Sequence, residues 1–132
     1  MKRIVLILIF VATALFVGPA SAQEKGKWNE MEAFHEVMAK TFHPAEEGKL
    51  EPIRTRSAEM VEKAIAWKKA EAPAGYDKNA VKKNLKRLVD GAKEINEMVK
   101  KNASDSELKK ELSELHDVFH EIMEKCEKEG GH

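Results

Sequence analysis

The feature that most limits the fold is a three-and-four spacing of apolar residues in the second half of the chain. Residues three or four positions apart share one face of an α-helix, so this spacing predicts amphipathic helices that each bury one side. The first such stripe is Val81, Leu85, Leu88, Ala92, Ile95 and Val99. The second is Leu108, Leu112, Leu115, Phe119, Ile122 and Cys126. No segment alternates with the period of a strand.

Helix-start signals place both of these helices. The third helix is expected to begin near Asp77 and to end around Asn102, and the fourth opens with the capping box "SDSE" at Ser104 to Glu107. In such a box the serine side chain and the glutamate side chain each bond the other's backbone N–H. Two glycines after the stripe are expected to end the fourth helix.

The first half of the chain predicts two more helices. Helix 1 should run from about Asn29 to Thr41, with Asn29 as its cap, until "HPAEEGKLEP" breaks it. Helix 2 should start near Pro52 and stop at "EAPAGY". The inner face of helix 1 would be Met31, Phe34, His35, Met38 and Phe42, and that of helix 2 would be Ile53, Met60, Ala64 and Trp67.

Four amphipathic helices joined by short loops bury their stripes best around a common centre. The predicted fold class is therefore all-α, an antiparallel up-down-up-down four-helix bundle.

The first residues have the layout of a secretory signal peptide. Lys2 and Arg3 precede an apolar run over 4–17, and Ala20-Ser21-Ala22 follows. We expect cleavage before Gln23, which makes 1–22 the signal peptide and 23–132 one domain, periplasmic or secreted. A retained anchor is the alternative, but the run is shorter than the ~20 residues that a span needs.

Charge and motif content argue against several function classes. The predicted mature chain holds 21 basic and 23 acidic residues, and its lysines alternate with glutamates, so nucleic acid is not an expected partner. No membrane partner is expected once the signal peptide is cleaved. The chain has no recognisable nucleophile and base pair, paired buried acids or phosphate loop, so no enzyme is expected. The single Cys126 cannot form an internal disulfide, so it is a core thiol, a metal ligand or an intermolecular link, and a packing role is the interpretation that we favour.

Possible metal ligands gather where helices 1 and 4 would meet. Pairing Phe42 with Leu108 in an antiparallel register puts His35 level with His116 and Met31 level with His120. His116 and His120, four residues apart, share one helix face, which is a recurring metal arrangement. Their place at the edge of the apolar stripe predicts a partly open site.

Ordinary structural roles for the same side chains stay open. The methionines can be core fillers, His35 can be a hydrogen-bonded core histidine, and the pair can be solvated. His43, before Pro44, is interpreted as a helix-end residue favoured by the dipole, with a second metal site as the alternative.

The stretches "NEMEAF" and "LHDVFH" resemble the exported cytochrome b562 family, relatives of cytochrome c prime. The resemblance implies a four-helix bundle that holds haem b noncovalently for one-electron transfer, with Met31 and His120 as axial ligands. Phe34 and Phe119 would then exclude water from the ring, as would Met38 and Leu112. A weakly docking redox partner is implied too, and we expect a monomer or weak dimer.

Two other functions remain. In one, the same bundle binds a bare copper, zinc or nickel ion for sensing or buffering, through His35, His116 and His120 with help from Met31 or Met123. In the other, the chain is a cofactor-free helical interaction module.

Overall fold

The computed structural model describes residues 28–126, which form four helices. These are α1 (Asn29–Glu46), α2 (Glu51–Lys69), α3 (Lys78–Lys100) and α4 (Asp105–Lys125). Consecutive helices pack against each other and α4 packs against α1. The diagonal helices α2 and α4 stay further apart and meet through side chains, as Trp67 and Phe119 do. This square arrangement confirms the all-α four-helix bundle. The predicted signal peptide lies outside the described residues.

The predicted starts of α3 and α4 are confirmed by their caps. The Asp77 carboxylate accepts bonds from the backbone N–H groups of Asn79 and Ala80, at 3.0 and 3.2 Å. Ser104 and Glu107 form both bonds of the capping box, each 3.2 Å long. These side chains satisfy backbone donors that the first turn of a helix leaves without intrahelical partners.

Helix α1 begins at Asn29, as predicted, but its cap and its end differ from the prediction. The N-cap is Trp28, with no side-chain cap bond, and Asn29 is already helical. The helix continues through Pro44 to Glu46, five residues beyond Thr41. Pro44 has no N–H and so removes one bond of the last turn. The loss is offset because Ala45 gains a buried position and the N–H groups of Gly48 and Lys49 bond the carbonyls of Ala45 and Pro44. The turn that follows is closed at Gly48, whose φ of +84° suits glycine.

The core confirms the stripes predicted for α2 and α4. Every residue of both stripes is buried, as is the α3 stripe except for the half-buried Val99. One end of the core is a cluster of rings in which Trp67 contacts Trp28, Phe34 and Phe119, with centroids 5.5 to 5.8 Å apart. Among the described residues, no helix has the length and apolarity to cross a membrane.

The predicted inner face of α1 is wrong at His35, which is exposed. The buried residues of this helix are Phe34, Val37, Met38, Thr41 and Ala45. Thr41 can lie inside because its hydroxyl donates to the Val37 carbonyl at 2.8 Å. An imidazole at the centre of the stripe would need a buried partner, whereas outside it bonds water.

Candidate metal site between the first and last helices

The interface between α1 and α4 is the loosest of the four in the bundle. Phe34 of α1 and Phe119 of α4 meet in the core with ring centroids 5.8 Å apart. Further out, the two helices meet through imidazole and phenyl rings. We call this outer strip the ring groove and define it by His35, Phe42, His43, His116 and His120.

The centre of the ring groove is the pair His116 and His120. One helical turn apart on α4, they bring their Nε2 atoms to 3.2 Å, with the ring planes at 70°. In the absence of a metal, this distance corresponds to a hydrogen bond in which one neutral ring donates to the other. Both side chains are half-buried, which agrees with the boundary position predicted for them.

Aromatic rings hold the orientation of both imidazoles. Phe42 of α1 stacks on His116, with centroids 3.9 Å apart and planes 7° from parallel. Phe119 meets the His120 ring at 5.8 Å and 71°. The rings flank the imidazoles without enclosing them, since the His120 side chain remains 46% exposed. The pair is therefore both oriented and reachable.

The surroundings of His116 lower its pKa from the ordinary value. Burial against the bundle is the largest cause, because it disfavours the charged ring, and the neighbouring His120 and His43 add to the effect. Asp117 and Glu46 act in the opposite direction and are outweighed. His116 is consequently neutral near pH 7, which is the protonation state that binds metals.

The predicted register between α1 and α4 is wrong by one to two turns. His35 does not lie level with His116; it stacks on Phe119, at 5.2 Å and 10°, and the residue that meets His116 is Phe42. The prediction counted from an α1 that ends near Thr41. Because α1 extends to Glu46, its residues meet later positions of α4 than expected, and Met31 is no longer level with His120.

Two residues of the ring groove, Phe42 and His43, lie closer to the histidine pair than the sequence predicts. Phe42 was assigned to the core, but it is half-buried and covers one face of His116. His43 lies in the last turn of α1, as predicted, with its ring 5.7 Å from that of Phe42. The signal that could have found them is the unbroken α1, which brings both residues to His116.

The ring groove offers two nitrogen ligands rather than a complete set. Within residues 28–126, no three His, Cys, Asp or Glu side chains are arranged to hold a metal ion. His35, the third member of the predicted histidine set, is separated from the pair by the Phe119 ring that it stacks on. Met31 and Met123 are half-buried and pack against the core. Any further ligands would be water or side chains that rotate into the site.

The packing of Phe34 and Phe119 does not fit a haem placed between them. Phe34 and Phe119 contact each other and Trp67 directly, so no room for a porphyrin lies between them. Two surface cavities of about 410 and 440 Å³ have linings drawn from α3, α4 and the loop that joins them, without Met31 or His120. The Met31 and His120 haem site stays a prediction from the resemblance.

Cys126 is buried, as predicted for a packing residue. Its sulfur accepts a hydrogen bond from the Asn84 amide at 3.3 Å, and burial raises the pKa of the thiol. A protonated thiol is a poor metal ligand. The cysteine is therefore no part of the candidate site.

The helices that form the ring groove are acidic. Helix α1 has four glutamates against one lysine, and α4 has seven acidic residues against three lysines. A surface with one excess sign raises the local concentration of counter-ions. The two helices that carry the ring groove therefore have an excess of negative charge.

Comparisons with protein-family models, with curated proteins and with solved structures find no match for this chain. The fold and the site define this chain as a four-helix bundle with a histidine pair between its first and last helices.

Proposed function

We propose that the chain binds a divalent first-row transition metal ion through Nε2 of His116 and Nε2 of His120. The observation that carries this proposal is the 3.2 Å separation of the two nitrogens. Bonds of about 2.0 to 2.1 Å put two neighbouring nitrogen ligands roughly 2.9 to 3.4 Å apart, from square to tetrahedral geometry. The two nitrogens are thus already at the separation that a shared ion requires, and rotation of the rings would turn both lone pairs towards it.

Copper(II) is the ion that such a site should prefer. Two imidazole nitrogens suit copper, nickel and zinc, and the affinity of a given nitrogen site for divalent ions is highest for copper. Water would occupy the remaining positions of the ion, because the groove is partly open. The neutral His116 and the acidic helices around the pair both favour a bound cation.

The role that follows is capture of a transition metal outside the cytoplasm, for buffering or sensing. The location rests on the predicted signal peptide. An ion held by two ligands on an open surface exchanges readily, which suits transient binding better than permanent storage.

The test is calorimetric titration of the purified chain with Cu²⁺ and with Zn²⁺ at pH 7.5. We expect one ion per chain, with copper the tighter. His116→Ala and His120→Ala should each weaken binding by about tenfold or more, since even residues behind the ligands cost 10- to 100-fold. His35→Ala is the matched control, because its exposed ring lies outside the pair, and it should bind as the parent does.

Four results would overturn the proposal. Equal losses in all three variants would indicate nonspecific binding to surface histidines. Unchanged binding in His116→Ala would move the site elsewhere. A stoichiometric haemin spectrum lost in Met31→Ala would return the chain to the cytochrome assignment, and binding of neither haem nor metal would leave a helical interaction module.

A further inference from the structure

The side of the bundle opposite the ring groove has the opposite charge. Helix α2 has five basic residues against three acidic ones, and α3 has seven against three. Lysines and glutamates alternate along the sequence, but folding sorts them, so that α2 and α3 form a basic side and α1 and α4 an acidic one. The chain is nearly neutral overall, but the two sides of the folded bundle have opposite net charge.

The basic side contains a group of lysines that we call the lysine face, made of Lys68, Lys82, Lys86 and Lys93. Lys82, Lys86 and Lys93 follow one stripe of α3, being four and seven residues apart, and all four are exposed. Lys86 pairs with Asp90 at 2.8 Å. The pKa of Asp90 is lowered by Lys86 first and also by Lys93 and by Lys68 of α2, which shows that one carboxylate lies among several ammonium groups.

Most of the positive charge on the lysine face is uncompensated. Lys68, Lys82 and Lys93 form no ion pair with any residue of the described chain. The arginines of α2 and α3 are engaged, because Arg54 pairs with Asp105, Arg56 with Glu59 and Arg87 with Glu121. What this side offers to a partner is therefore lysine charge alone.

We propose that the lysine face docks on the surface of an anionic phospholipid bilayer. Protein interfaces are enriched in aromatic residues and arginine at their centres and depleted in lysine. The α2 and α3 surfaces expose no aromatic side chain, since Trp67, their one aromatic residue, is buried. Lysine is a hydrated point charge that needs no fixed geometry, which suits mobile anionic headgroups.

Docking through the lysine face also fixes the orientation of the bundle on the bilayer. The anionic surface attracts α2 and α3 and repels the acidic α1 and α4, so the ring groove faces the water. The proposal adds a membrane contact that the sequence did not predict, and it stands on the lysines whether or not the histidine pair binds metal.

The experiment is cosedimentation of the purified chain with vesicles at low ionic strength. Vesicles of phosphatidylcholine with 30% phosphatidylglycerol are expected to bind the chain and pure phosphatidylcholine is not, with release at high salt because the Debye length shortens. Lys82→Glu with Lys93→Glu should weaken binding by about tenfold or more. Lys109→Glu with Lys110→Glu makes the same change of net charge at exposed positions of α4 and should bind within about twofold of the parent.

Each other outcome counts against the proposal. Binding that does not depend on phosphatidylglycerol, or an equal loss in both double variants, would show that the lysine face has no special role. Tighter binding to duplex DNA than to the vesicles would assign the face to a nucleic acid instead. Circular dichroism of both variants should match that of the parent, because all four positions are exposed.

Discussion

The α2–α3 and α1–α4 interfaces lie on opposite sides of one bundle and are built differently. Between α2 and α3 the contact is closely packed and contains a hydrogen bond, 2.9 Å long, from Ser57 to the Asn96 side chain. Between α1 and α4 the outer contact is a loose row of rings in which Phe42 stacks on His116. Ser57 is buried at the first interface, whereas the second holds imidazoles that are only half-buried.

The difference shows how one fold can separate stability from chemistry. Close packing of apolar side chains contributes most of the folding free energy, and it leaves no room for an exchangeable ligand. A looser interface contributes less, but its side chains can titrate and coordinate. The ring contacts of Phe119 show both situations at once, because its ring touches the buried Trp67 and the exposed His35.

The largest expected effect comes from removing the buried partner of Phe119. Trp67→Ala should lower the free energy of unfolding by about 3 to 5 kcal/mol, because the ring is fully buried and contacts three other aromatic residues. Chemical denaturation followed by circular dichroism measures this loss.

His35→Ala is the matched substitution on the exposed side of the same ring. It should change the free energy of unfolding by no more than about 0.5 kcal/mol, as surface substitutions usually do. Similar losses in the two variants would mean that the ring groove is part of the core, and the contrast between the two interfaces would disappear.

The fold was predictable because most of its signals are local. The capping box at Ser104 and the stripe from Leu108 to Cys126 depend on residues within one helix. The length of α1 was not predictable in this way. Pro44 indicates a break, and only the buried position of Ala45 and the turn at Gly48 explain why the helix continues.

The candidate site was only partly predictable, because it depends on the register between two helices distant in sequence. The i, i+4 pair of His116 and His120 is visible on α4 alone and was found. Which α1 residue faces it depends on where α1 ends and how the two helices are aligned, and the predicted alignment put His35 where the structure has Phe42, seven residues later. In an antiparallel pair of helices, an error at one helix end shifts every predicted contact along the interface.

Phe42→Ala should have the next largest effect. It should change both the stability of the bundle and the pKa of His116. Loss of this half-buried ring should cost about 1.5 kcal/mol of unfolding free energy. The pKa of His116 should rise toward its ordinary value, because burial is the main cause of its depression and Phe42 covers one face of the imidazole. Proton NMR titration of the His116 ring reports the pKa, and an unchanged value would show that Phe42 does not shield it.

Ser57→Ala should cost about 1 kcal/mol, the usual net contribution of one hydrogen bond. The bond joins α2 to α3, so the substitution weakens the close interface and leaves the ring groove untouched. Ser113→Ala is the control, because its hydroxyl donates within α4 to the Lys109 carbonyl and joins no two helices. The prediction fails if Ser57→Ala changes the His116 titration, or if both variants have equal stability.

The smallest effect is a difference in pH dependence caused by His116. The pKa of His116 is lower in the folded chain than the ordinary value of 6.5. At pH values between these two pKa values, the unfolded chain therefore binds more protons than the folded chain does. The contribution to stability is complete above pH 6.5 and is lost as the pH falls through the pKa of the folded state. His116→Gln cannot titrate, so its Tm should fall less than that of the parent between pH 7.5 and 5. Both chains are measured by thermal denaturation in the presence of a chelator, which removes any contribution from bound metal. If the Tm of both chains fell equally with pH, protonation of His116 would not be opposed by folding.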